Sequence, residues 1–187
     1  MKKEKNIMKI IDYDENEEKF LNDVRKGLYN EYLKYDYEWF CTLNLPGPKK
    51  PFRNLSHDLE NRAEGYLKKW RSEMGQKHKI RVAYNGIMVL SKKKGPHIHL
   101  LMIGARNTCG QTLLDMDEKE WEKAWGKIAY RNAMIKKLDN PIDREIIAKY
   151  MTDGERNTMA GQFITLVPYN NRIFKRIDKK RSSSHSL

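Results

Sequence analysis

A chain of 187 residues has the size of one ordinary domain. On folding it buries roughly 70% of the surface its unfolded form exposes, so a core needs neither disulfide nor metal. The 37 Lys and Arg against 25 Asp and Glu leave a net charge of +12 at pH 7, which favours a polyanionic partner, nucleic acid first, because neutralised phosphates release their counterions. A mean hydropathy of −0.85, with no apolar run approaching ~18 residues, argues against a membrane-spanning helix. The opening MKKEKNIMKIIDYDENEE turns acidic where a secretory signal has its apolar stretch, so export is not expected and a cytoplasmic protein is. Cys41 and Cys109 stand far apart with no C-x-x-C spacing, which suggests two reduced thiols rather than a zinc knuckle or redox pair.

Phe20, Leu21, Val24, Leu28, Tyr32 and Leu33 recur at helical spacing and predict an amphipathic helix over 17–34. WFCTLNL, 39–45, is rich in aromatic and β-branched residues and predicts a strand closed by Pro46, Gly47 and Pro48. Leu55, Leu59, Ala63, Tyr66, Trp70 and Met74 predict a helix over 54–75, capped by Asn54 or Ser56 and stopped by Gly75. Two apolar runs, 80–90 and 97–104, flank SKKKGP and predict an antiparallel hairpin. Asp115 or Asp117 then caps a helix through Trp121, Ala124 and Trp125 with Gly126 near its end, and 128–138 reads as a strand. Asn140 before Pro141 marks the start of a helix to about residue 152. A short strand, 163–167, precedes the basic tail KRIDKKRSSSHSL, which reads as disordered. The fold class is α+β, an antiparallel β-sheet with helices packed against it. The expected division is an N-terminal helical extension over 1–38, a main domain over 39–170 and a tail over 171–187.

His97 and His99 alternate along an apolar strand, so both imidazoles face one side, close enough to grip one ion. Imidazole nitrogens suit several divalent metals, with Mn or Mg fitting if oxygens complete the shell. The same pair is also compatible with one buried and one exposed histidine of no chemical role. Tyr150 lies on the helix DREIIAKYMTDG with Lys149 beside it. A phenol of pKa ~10 attacks only a phosphate already polarised by a metal or lysine, and most tyrosines are packing residues. Asp143, Ile146, Tyr150 and Asp153 fall along one stripe of this helix, which brings a carboxylate near the phenol or leaves the two acids at the helix ends.

The order of these parts resembles the HUH endonucleases, and within them the rolling-circle replication initiators of small plasmids and phages. Phe40, Cys41, Thr42, Leu43 and Asn44 look like the family's T-L strand motif. GPHIHLLMIG is similar to its His, apolar, His motif. IIAKYMTDG resembles its tyrosine-helix motif, x-x-x-K-Y, and Trp125 with Gly126 resembles a recurring phage-initiator feature. The resemblance runs over about residues 39–154.

It implies the HUH endonuclease fold, ferredoxin- or RRM-like, with metal ligands His97 and His99, nucleophile Tyr150 and assisting Lys149. It implies a divalent cofactor, Mn or Mg, and nicking and joining of one DNA strand through a 5′-phosphotyrosine. The implied partners are single-stranded or hairpin origin DNA and a host helicase and polymerase. Basic loops and exposed Trp or Tyr side chains would hold the unpaired strand. No G-x-x-x-x-G-K-[ST] loop is present, so no nucleotide cofactor is expected. The family's Glu about nine residues before the first histidine is replaced by Ile87, Met88, Val89 and Leu90, leaving Asn85, Asp143, Asp153 or water as third ligand. Ile146 stands where some relatives carry a second Tyr or a Glu, so a single-tyrosine enzyme is expected. A transposase or relaxase with the same chemistry, or a basic DNA-binding protein without catalysis, remains an alternative.

Overall fold

The computed structural model describes residues 15–47, 57–91, 95–105, 107, 109–152 and 163–169. The chain runs α1 (Glu15–Leu33), β1 (Trp39–Asn44), α2 (His57–Lys77), β2 (Arg81–Ser91), β3 (Gly95–Ala105), a one-turn 3-10 helix (Leu113–Asp115), α3 (Glu118–Ala129), β4 (Ala133–Lys137), α4 (Pro141–Thr152) and β5 (Phe163–Tyr169). The five strands form one sheet in the order β4-β1-β3-β2-β5, and every pairing is antiparallel. This is an α+β fold with helices packed on an antiparallel sheet. None of the described helices is long and apolar enough to cross a membrane.

Strand alternation divides the core in two. On one face Trp39, Cys41 and Leu43 of β1 and Ile98, Leu100 and Met102 of β3 meet α2 and α3. Four tryptophans carry that layer. Trp39, Trp121, Trp70 and Trp125 form a chain of edge-to-face contacts with centroids 5.2, 5.4 and 5.6 Å apart, the arrangement the ring quadrupole prefers. Two indole N–H groups are spent internally: Trp70 Nε1 donates to the Trp121 carbonyl at 2.9 Å and Trp125 Nε1 to the Asn44 carbonyl at 3.0 Å. The expectation that tryptophans stack on a nucleic-acid strand is therefore corrected, since all four are buried.

On the other face Phe40, Ala83, Ile87, Val89, Leu101 and Ile103 meet Tyr32 of α1 and Ala148 and Met151 of α4. The helical extension expected over 1–38 thus packs, from Leu28 and Tyr29 onward, into the same core as the sheet. Leu33 falls outside it and is exposed.

Element ends follow local chemistry. Helix α2 continues past Gly75 to Lys77 and stops at Lys79, which takes φ 53°; its caps at Asn54 and Ser56 lie outside the described residues. Asp117 caps α3, accepting from the Lys119 amide at 3.0 Å, while Asp115 closes a capping box with Thr112 around the 3-10 turn. The strand expected over 128–138 begins only at Ala133. Ile128 continues the spacing set by Trp121, Ala124 and Trp125, so helical burial wins over its β propensity, and Tyr130 then ends the helix at φ 54°. Edge strand β4 is shielded: Glu122 Oε1 accepts from the Ile135 amide at 2.9 Å and Glu118 pairs with Lys137 at 3.3 Å. Cys41 is buried and Cys109 exposed, both free. The tail over 171–187 lies outside the described residues.

Candidate active site

The strand alternation that buries Leu100 and Met102 on one face turns His97 and His99 to the other. Register then decides their neighbours. In the β1–β3 pairing Thr42 lies opposite His99 and Asn44 opposite His97; in the β2–β3 pairing Ile87 lies opposite His99. Both histidines are more than nine-tenths buried, and with Asn85 they are the buried polar side chains among the described residues. Their rings are 4.8 Å apart and nearly perpendicular.

Hydrogen bonding constrains the tautomers. His97 Nδ1 lies 3.1 Å from the Gly95 carbonyl. A carbonyl only accepts, so this nitrogen carries the proton, and in the neutral ring Nε2 carries the lone pair. His99 Nδ1 lies 3.2 Å from Thr42 Oγ1, a hydroxyl from the T-L strand motif that orients the ring from the neighbouring strand. Phe40 stacks on His99 at 5.5 Å, giving the imidazole one apolar wall.

Tyr150 arrives from α4. Asn140 starts this helix by accepting from the Ile142 amide at 2.9 Å. Arg144 then fixes its bearing, donating from Nε to the Tyr37 carbonyl at 3.0 Å, from one terminal nitrogen to Asp36 at 2.9 Å and from the other to the Leu138 carbonyl at 3.4 Å. One guanidinium thereby ties the helix both to the chain entering β1 and to the chain leaving β4. Ala148 and Met151 sink into the core, and Tyr150, half-buried, meets His99 edge-on with centroids 5.3 Å apart and Phe40 at 6.1 Å. Because the cap sets where α4 begins, Asn140→Ala should cost about 1 kcal/mol, read as a lower urea midpoint with unchanged m.

These side chains open onto one cleft of about 720 Å³, lined by Phe40, Thr42, Asn44, His97, His99 and Tyr150 together with Tyr130, Arg131, Asn132 and Met134; the β1–β4 register sets Met134 beside Thr42. The structure thus brings together His97, His99 and Tyr150. Lys149 is exposed on α4 and does not line the cleft. Of the third-ligand candidates, Asn85 interacts with Tyr37, whose phenol burial pushes up, and Asp143 pairs with Lys136 at 3.2 Å. Asp153 lies outside the described residues. Among those residues no cluster of three His, Cys, Asp or Glu could hold a metal. The donors present still fit a divalent ion: two adjacent buried imidazoles, one with its lone pair fixed on Nε2, leave the remaining positions to water or phosphate oxygen.

Sequence reasoning missed the part played by Arg144 and the cleft residues Tyr130 to Met134. Arg144 in DREIIAKY gives no local signal of a clamp, and residues 130–134 reach the cleft because β4 pairs with β1.

No protein-family model matches the chain, and no curated protein or solved structure is significantly similar to it.

Proposed function

We propose that this protein is a metal-dependent endonuclease that nicks and rejoins a single DNA strand through Tyr150, of the HUH type, and initiates rolling-circle replication of a small plasmid or virus in the cytoplasm. The observation that carries this reading is the convergence of His97, His99 and Tyr150, from a central strand and a helix distant in sequence, on one open cleft. The net charge of +12 is the second support.

In this reading the Tyr150 oxygen attacks phosphorus, its bond to phosphorus forms, and the bond to the 3′ oxygen breaks. The phenolic proton is released and the leaving oxygen takes one up, leaving a 5′-phosphotyrosine and a 3′-hydroxyl. One phosphodiester is exchanged for another, so no nucleotide is consumed and a later attack by a 3′-hydroxyl rejoins the strand. A divalent ion, Mn or Mg, held by His97 and His99 would supply Lewis acidity at the scissile phosphate. The protein's own residues do the positioning. Thr42 and Phe40 hold the His99 ring, Gly95 fixes the His97 tautomer, and Arg144 fixes the helix under the nucleophile. Lys149, exposed beside Tyr150, contributes charge to the approach of phosphate rather than a contact inside the cleft. The expected partners are single-stranded or hairpin origin DNA, with a host helicase and polymerase extending from the 3′ end.

The test is incubation with labelled single-stranded DNA from the protein's own replicon, with Mn, with Mg and with chelator, resolved on a denaturing gel that retains protein. A covalent adduct formed with metal and absent with chelator is the expected result. Salt-sensitive binding with no adduct on any origin strand would instead indicate a basic DNA-binding protein without catalysis.

A further inference from the structure

We propose that Tyr130 is a fixed stacking platform for an unpaired nucleobase at the cleft, with Arg131 beside it taking the adjoining backbone phosphate. This rests on the nucleic-acid part of the reading above and not on its chemistry.

The backbone supplies the first argument. Tyr130 takes φ 54° and ψ 32° at the end of α3, the left-handed conformation for which a helix end ordinarily uses glycine or asparagine. Lys79 adopts the same region after α2, so the turn is an ordinary helix stop. What differs is the side chain. Tyr130 is 81% exposed, so its large ring obtains no burial in return for the strained backbone. The ring contributes little to the fold.

The second argument is position. The base of the ring is held from both sides: Ala129 before it is fully buried, and the Asn132 carbonyl after it accepts from the Asn44 amide at 3.1 Å. An exposed aromatic on a fixed stem lines the same cleft as Tyr150 and the histidines. Met134, 54% exposed, adds apolar surface to the same cleft. Arg131 is exposed and lines the same cleft, its guanidinium donating to the Tyr130 carbonyl at 3.3 Å. An exposed aromatic ring followed in the chain by an exposed guanidinium suits a base and its phosphate, and the chain's positive charge selects a polyanion over an apolar peptide.

The experiment compares binding of two fluorescein-labelled probes in chelator, so that no cleavage intervenes: a dT 20-mer and a 20-unit abasic deoxyribose-phosphate strand. Tyr130→Ala should weaken binding to the dT 20-mer by roughly 5- to 100-fold, the worth of one stacked base, and leave the abasic strand unchanged. Tyr130→Phe, which keeps the ring, should bind both as wild type does. Tyr130→Gly separates folding from binding, since it should raise the Tm by roughly 2–4 °C while losing affinity for the dT 20-mer. Equal losses on both probes, or none, would overturn the platform and leave strand binding intact. Failure of the wild-type protein to bind either probe would overturn the nucleic-acid reading as well. An adduct formed normally by Tyr130→Ala with unchanged affinity would sink the platform alone.

Discussion

Tyr150→Phe should abolish the covalent protein–DNA adduct, by at least roughly 10⁴-fold, while leaving strand binding within a few fold. The substitution removes one oxygen and keeps the ring. Its edge-on contacts with His99 at 5.3 Å and with Phe40 at 6.1 Å are ring contacts, which the substitution keeps. What disappears is the atom that forms the bond to phosphorus. Of the other hydroxyls lining the cleft, Thr42 is engaged with His99, and Tyr130 is 81% exposed. The decisive comparison is a denaturing gel for the adduct beside anisotropy for binding and a melting curve. Adduct persisting in the variant would move the nucleophile elsewhere, Tyr130 being the next phenol to test. A collapse of binding with the melting point unchanged would make Tyr150 a strand contact rather than a nucleophile.

The parts of this site legible in the sequence are those written in short-range periodicity. Alternation alone places His97 and His99 on one face, and Asn140 with Pro141 locates the start of the helix that carries Tyr150. The parts that were not legible depend on pairing between distant strands. That Thr42 faces His99 follows from the β1–β3 register, and nothing within WFCTLNL specifies its partner. Residues 130–134 show the same limit more sharply. Residues 128–132, IAYRN, carry β-formers and suggest strand, yet Ile128 completes the buried stripe of α3 and Tyr130 turns the chain so that Asn132 can bond the end of β1. Tertiary burial overrides local propensity there. The tryptophans illustrate the converse error: in a basic chain they suggest stacking surfaces, but each lies at a position whose helical or strand phase points into the core.

Gly86→Ala should be among the most destabilising single-methyl additions in the molecule, costing about 3–5 kcal/mol. Gly86 lies on β2 opposite Leu100 of β3, the strand that carries both histidines. A Cβ built there would sit 2.2 Å from the His99 carbonyl oxygen, 2.6 Å from Leu100 Cδ2 and 3.1 Å from Leu100 Cα. The first and last of these are backbone atoms, which cannot rotate aside as a side chain would. Relief requires β2 and β3 to part locally, but β3 is held on its other edge by β1 and its His99 ring by Thr42. Against a total stability of about 5–15 kcal/mol the loss is a large share, and the Tm should fall by roughly 10 °C or more. Folded protein that remains should form the adduct poorly, since the movement displaces the His99 backbone itself. Gly65→Ala is the matched control. Gly65 lies within α2 with nothing inside 4 Å of an added Cβ, so the same methyl removes glycine's entropic cost in a helix and should stabilise by about 0.5–1 kcal/mol. Melting the two variants side by side reads opposite signs from one chemical change. A Gly86→Ala protein as stable as wild type would mean that β2 and β3 do not approach as closely as this register requires, and the placement of His99 against Thr42 and Tyr150 would have to be redrawn.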